Sequence, residues 1–185
     1  MASRMTDVLT IRGAHEIGSI NTKWTKHMTN GAIADGNMEN YTLAEILWTD
    51  GELHCVQLTD ATKKGYLVTT VEEDQLMEGE EYLDFYNATD EIIRLTDVDV
   101  QKNSRFETSI FELNADGVTN GGTTVTVAAV GDVAHFNPTT KKYMISLASD
   151  AATAYGTAVN KFEVVGLDTD FGYPLDKTTI RLMSI

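Results

Sequence analysis

The 185-residue chain has a single cysteine, Cys55, which excludes an intramolecular disulfide and any thiolate-rich metal centre. Placed among strand-forming residues, that cysteine is expected to be a small buried hydrophobe. Basic side chains are scarce: 14 Lys and Arg stand against 28 Asp and Glu, a formal net charge of −14. Affinity for nucleic acid comes largely from clustered Lys and Arg that displace counterions, so DNA and RNA are poor partners. No apolar run approaches the length of a bilayer crossing, and the N-terminal stretch lacks the continuous apolar centre of a signal peptide. The protein is therefore expected to be soluble, not secreted, and without a membrane partner. Serine is sparse, and neither a Gly-x-Ser-x-Gly elbow nor a Gly-rich phosphate loop is present. The four histidines, His15, His27, His54 and His135, are not spaced to put two ligands on one helix face. No catalytic residue, no metal ligand and no cofactor is assigned, and the chain reads as a structural or binding component rather than an enzyme.

What is present is ordinary globular material, 42% apolar and 23% charged, enough for one domain with a real core. The charge is uneven. Residues 1–30 carry Arg4, Arg12, Lys23 and Lys26 against Asp7 and Glu16, while the remaining chain holds ten basic and 26 acidic residues. A mildly basic leader thus precedes a strongly acidic body. Seven carboxylates fall between Glu72 and Asp84 without one base. Adjacent acids do not fix a concave geometry, so the run reads as a solvated face rather than a cation site.

Residues 21–40 are polar and turn-prone, and the sequence predicts an extended N-terminal arm over residues 1–40 and a β-rich body over residues 41–185. The body shows short β-favouring runs broken by turn residues every ten or so positions, the texture of an antiparallel β-barrel or β-sandwich with little helix. Three hairpins are predicted: Leu43 to Trp48 with Leu53 to Leu58 around Asp50-Gly51, Glu81 to Tyr86 with Glu91 to Leu95, and Val133 to Phe136 with Lys142 to Leu147. Further strands are predicted at Tyr66 to Val71, Arg105 to Leu113, Thr123 to Val130, Phe162 to Leu167 and Thr178 to Met183. Helix is confined to a turn at Glu73 to Met77 and to the Ala-rich stretch Ser149 to Val159. His54 and His135 fall in strands and are expected to be packed or half-exposed. Trp48 and most tyrosines are expected in the core or in strand pairs, whereas Trp24, with Arg4, Arg12, Lys23 and Lys26, marks the arm as a partner-binding segment. Asn40-Tyr41-Thr42 and Asn87-Ala88-Thr89 match the glycosylation pattern by chance.

Three segments carry a resemblance. They are Gly65-Tyr66-Leu67-Val68 leading to Tyr82-Leu83-Asp84-Phe85-Tyr86-Asn87 and Glu91-Ile92-Ile93-Arg94-Leu95; Val130-Gly131-Asp132-Val133-Ala134-His135-Phe136-Asn137-Pro138-Thr139-Thr140-Lys141-Lys142-Tyr143; and Phe162-Glu163-Val164-Val165-Gly166. In this texture the chain resembles a head decoration, or capsid cement, protein of a tailed bacteriophage. Tail-tube and fibre-attachment domains share the texture, and a carbohydrate- or metal-dependent binding module is the alternative from another class. The resemblance implies a non-enzymatic virion protein, bound in many copies to the outside of an assembled capsid. Its partner would be the major capsid protein, its own assembly a homo-oligomer with a trimer favoured, and its location the capsid exterior after assembly in the host cytoplasm.

Overall fold

A computed structural model describes residues 18–20, 26–27, 31–70, 85–98, 104–168 and 178–185. Two turns organise much of it. Asp50 and Gly51 take φ values of 53° and 84°, the positive pair that a tight primed turn requires. They join β4 (Leu43–Thr49) to β5 (Glu52–Gln57) in an antiparallel ladder that sets Ile46 opposite Cys55 and Trp48 opposite Leu53. Likewise β11 (Val133–Asn137) and β12 (Lys142–Ser146) pair through the Pro138 turn, which Lys141 closes with a φ of 58°. Both hairpins stand where the turn chemistry predicts them.

The first sheet is rolled. β5 pairs in parallel with β3 (Ala32–Ala34), and β4 pairs with β6 (Tyr66–Val68). The next two strands, β7 (Ile92–Ile93) and β8 (Leu95–Asp97), are separated only by Arg94, yet β7 pairs with β3 and β8 with β6. The two sides of the sheet therefore meet along one short segment, stopping short of a closed barrel. β2 (Lys26–His27) flanks β8. Strand alternation sends Ala32, Ala34, Ala44, Cys55, Val68 and Leu95 to the concave side, where Met38 and Ile93 join them in a buried cluster. Small residues dominate there because a roll this tight leaves little interior volume.

The convex side of the roll packs on a second sheet. Its strands are β1 (Gly18–Ile20), β9 (Arg105–Thr108), β14 (Thr179–Ser184), β13 (Lys161–Asp168), β11, β12 and β10 (Phe111–Leu113), in that order across the sheet. Pairing is antiparallel except for β10 beside β12. Leu43 and Leu67 from the roll meet Phe106, Tyr143, Phe162 and Leu182 from the sheet. Phe106, Phe136 and Phe162 surround Tyr143 with ring centroids 5.3–5.5 Å away, in tilted and edge-on contacts. The Tyr143 hydroxyl donates to the Tyr41 carbonyl at 3.0 Å, tying the two layers together. Burial holds that phenol well above its usual pKa. The architecture is mainly β, a sandwich of two mixed sheets, with little helix among the described residues.

Several expectations need correction. The arm predicted for residues 1–40 does not hold over its last ten positions: β3 lies inside the rolled sheet, Ala32, Ala34 and Met38 are buried, and Asn40 is fully buried. The sequence there is polar and turn-rich because its core contributions are two alanines, a methionine and a hydrogen-bonded amide. The second predicted hairpin fails over its described part, since Asn87 bridges to Met38 and Ile92–Ile93 pairs with β3; residues 81–84 lie outside the described residues. Arg105 to Leu113 is two strands, broken where the Thr108 hydroxyl accepts from the Ile110 amide. Thr123 to Val130 is not a strand, because loop carbonyls of Asn114 and Asp150 take its donors. Helix at Thr153–Thr157 falls inside the predicted Ala-rich stretch, Gly117–Asn120 adds a turn capped by Asp116, and Glu73 to Met77 lies outside the described residues.

Candidate functional site

Of the residues assigned to partner binding, Arg4, Arg12, Lys23 and Trp24 lie outside the described residues, and Lys26 sits on β2 opposite Asp97 of β8. The acidic stretch 72–84 also lies outside them. Asn40 and Asn87 are fully buried: Asn87 donates to the Asn40 side-chain oxygen at 3.1 Å and to the Met38 carbonyl at 3.1 Å. Neither asparagine presents its amide for glycosylation. His54 sits on β5 with Nδ1 2.7 Å from the Asp35 carboxylate. Cys55 beside it is buried, and burial pushes its thiol up to about 12 with Asp35 adding to the rise, so it is not a nucleophile.

The sequence reading missed two features. The first is the tip of the β4–β5 hairpin. β6 covers only Leu43 and Ala44 of β4, so the far end of the hairpin runs on past its neighbour. Trp48 there is 74% exposed and Leu47 is also exposed. Its alternation with Ala44 and Ile46 is that of a core-facing tryptophan, and only the short length of β6 reveals otherwise.

The second is a cleft of about 730 Å³ on the outer face of the second sheet. β10 supplies Glu112, β11 supplies His135 and Asn137, and β12 supplies Met144; the loops at 115–120 and 152–157 form the walls. Glu112 Oε1 accepts from Asn137 Nδ2 and Thr140 Oγ1, each at 2.8 Å, which fixes that carboxylate. Asp116 accepts from the Val118 and Thr119 amides at 3.1 Å and from the Thr119 hydroxyl, which hold its carboxyl below the usual range. The walls are held against each other at Gly122, whose φ is 73° and where a Cβ would come within 2.6 Å of the Asp150 carbonyl. His135 is only 2% exposed, and its Nδ1 has no hydrogen-bond partner among the described residues. Burial lowers its pKa, against the opposing pull of Glu112, so the ring is neutral at physiological pH. The Tyr155 ring stands edge-on to it at 6.3 Å between centroids. No group of three or more His, Cys, Asp or Glu positioned to hold a metal occurs among the described residues.

Comparison with known proteins places the chain. A protein of Bacillus subtilis (strain 168), the SPbeta prophage-derived uncharacterized protein YonC, is 33% identical over 184 residues, covering 98% of this chain and 97% of its own length. No solved structure matches. The YonC prophage protein family matches residues 11–185. With a match over nearly the whole chain, this protein is phage-derived and belongs to the YonC prophage protein family.

Proposed function

We propose that the protein is a non-enzymatic structural component of the phage particle, binding the outside of the assembled capsid in many copies and stabilising it. What carries the reading is the protruding hairpin tip in a phage-derived β-sandwich: tryptophan is the residue most often found as an interface anchor, and Trp48 stands exposed on a rigid two-stranded support. A tryptophan side chain buries about 150–250 Å². Covering the exposed part of Trp48 would contribute on the order of 3–4 kcal/mol, before the costs of association. Repetition by symmetry then multiplies a modest single-site affinity, and a trimer would present three such anchors at once. The acidic body suits a crowded outer surface, since like charge keeps neighbouring copies soluble. In this reading the basic leader, with Arg4, Arg12, Lys23, Trp24 and Lys26, engages the major capsid protein.

Particles induced from the lysogen, banded on a density gradient and quantified by mass spectrometry, test it. A ratio to the major shell protein between one to one and one to a few supports decoration. A few copies per particle moves the assignment to a tail or head fibre, and absence from particles overturns a virion role.

A further inference from the structure

We propose that the cleft over β10, β11 and β12 is a binding site for a short, uncharged saccharide. Its volume, about 730 Å³, lies in the range of sites that enclose small ligands. The walls are ordered before any ligand arrives: Asn114 Nδ2 donates to the Gly121 carbonyl at 2.9 Å, Asn120 Nδ2 donates to Asn114 Oδ1 at 3.1 Å, and the Thr123 hydroxyl bonds Asp150 at 2.8 Å. Such a cleft need not fold around its ligand, which limits the entropy lost on binding.

The lining selects the chemical class. Among the described residues no Lys or Arg lines the cleft, while Glu112 and Asp116 both do, so phosphates and carboxylates are repelled. A metal is not favoured, because among the described residues no third His, Cys, Asp or Glu stands with Glu112 and Asp116 in a metal-holding group. What remains is a surface of hydroxyl, amide and carboxylate acceptors beside apolar patches at Leu113, Met144 and Ala152. A sugar ring has the matching pattern, with hydroxyl donors around an edge and apolar C–H faces above and below.

The observation that points to a ligand is His135. It lines the cleft, is 2% exposed, and its Nδ1 makes no hydrogen bond to any described residue. Nearly all buried polar groups are paired, and a leucine at this strand position would fill the space without that cost. A neutral imidazole offers one donor and one acceptor, and a hydroxyl can pair with either. A bound hydroxyl would supply the partner that the fold leaves out.

The test is an NMR titration of the full chain, labelled at histidine, with maltotriose, cellotriose and chitotriose, and with inorganic phosphate and putrescine as charged probes. The expected result is a saturable shift of the His135 ring with at least one neutral trisaccharide and none with phosphate or putrescine. His135→Leu should weaken that binding about tenfold, one hydrogen bond's worth, while raising the melting temperature. Thr140→Val, an exposed change remote from the core, should weaken it several-fold, so the outcome does not hang on the folding of one variant. The proposal is overturned if no neutral trisaccharide shifts His135, if phosphate or putrescine saturates the same resonances, or if binding survives in Thr140→Val and in every folded His135 variant. Particle association does not enter this readout, so the site stands or falls independently of the capsid assignment.

Discussion

Asn40 offers the sharpest test of how the N-terminal half is held. Its side-chain amide donates to the Thr70 carbonyl at 2.9 Å, while its oxygen accepts from the Thr70 amide at 3.2 Å and from Asn87 Nδ2 at 3.1 Å. One side chain thereby joins the end of the β3 segment, the exit from β6 and the approach to β7. Asn40→Ala removes three hydrogen bonds and leaves the buried Thr70 peptide groups unpaired. Each lost bond costs about 1 kcal/mol net, and stranded buried groups push the figure higher, giving about 3–5 kcal/mol in total. Domains of ordinary stability have about 5–15 kcal/mol, and for this size each kcal/mol moves the melting temperature by about 2–4 °C. The expected shift is therefore roughly 6–20 °C, with a urea midpoint lowered by about 2 M. Urea titrations followed by circular dichroism and by labelling of Cys55 should report the same midpoint. Asn40→Asp keeps the acceptor but sets a carboxylate against the Thr70 carbonyl; the carboxyl is held protonated by that contact, so its stability should improve as the pH falls. A loss below about 1 kcal/mol for Asn40→Ala would refute the argument that this network anchors the segment.

Three further outcomes follow from the geometry. Trp48→Ala should leave the melting temperature within the range of a surface change, about ±0.5 kcal/mol; under the capsid-binding role proposed above, it should also lower capsid affinity by about 2 kcal/mol or more, roughly thirtyfold, in a particle pull-down. Cys55, with its thiol pushed up to about 12, should react with a thiol reagent at mildly alkaline pH on the order of a thousand times more slowly in the folded than in the urea-unfolded chain; rapid labelling of the native protein would contradict its burial. Because the folded His135 has a lowered pKa, the unfolded chain takes up its proton first, near pH 6.5; the stabilising effect of a neutral ring is complete above that pH and is lost as the pH falls toward the folded value. His135→Leu should remove this dependence, so urea midpoints of the two proteins should diverge between about pH 7 and pH 5, and a constant gap would argue against it.

Turns were the part of the fold legible in the sequence. Asp50-Gly51 and the Asn137 to Lys141 loop each name their hairpin because only a few residue types accept those backbone angles. The roll was not legible, because it depends on β7 and β8, strands of two and three residues whose partners lie on opposite sides of the sheet. Nor was the inclusion of residues 31–40, since Ala32 and Ala34 carry too little apolar surface to make a pattern, and Asn40 resembles a turn residue until its partners are in place. At the candidate sites the sequence left Trp48 as a core or strand-pair residue, and the strand pair with Leu53 is what the structure shows; alternation says which face a residue takes but not whether a neighbouring strand reaches far enough to cover it. His135 was correctly set in a strand, but a missing hydrogen bond leaves no trace in composition.

The position of β14 bears on how the protein is made. Residues 179–184 occupy an interior place in the second sheet, with β13 on one side and β9 on the other, so among the described residues β9 and β1 are joined to the rest of that layer through β14, which follows the other strands of the sheet in sequence. Until the ribosome has released residue 184, the nascent chain has a gap in the middle of one layer and exposes the aromatic cluster that Ile180 and Leu182 will cover. Non-local pairing of this kind delays folding and leaves sticky intermediates. A product that stops before residue 178, and so lacks β14, should accordingly aggregate rather than accumulate as a smaller folded protein.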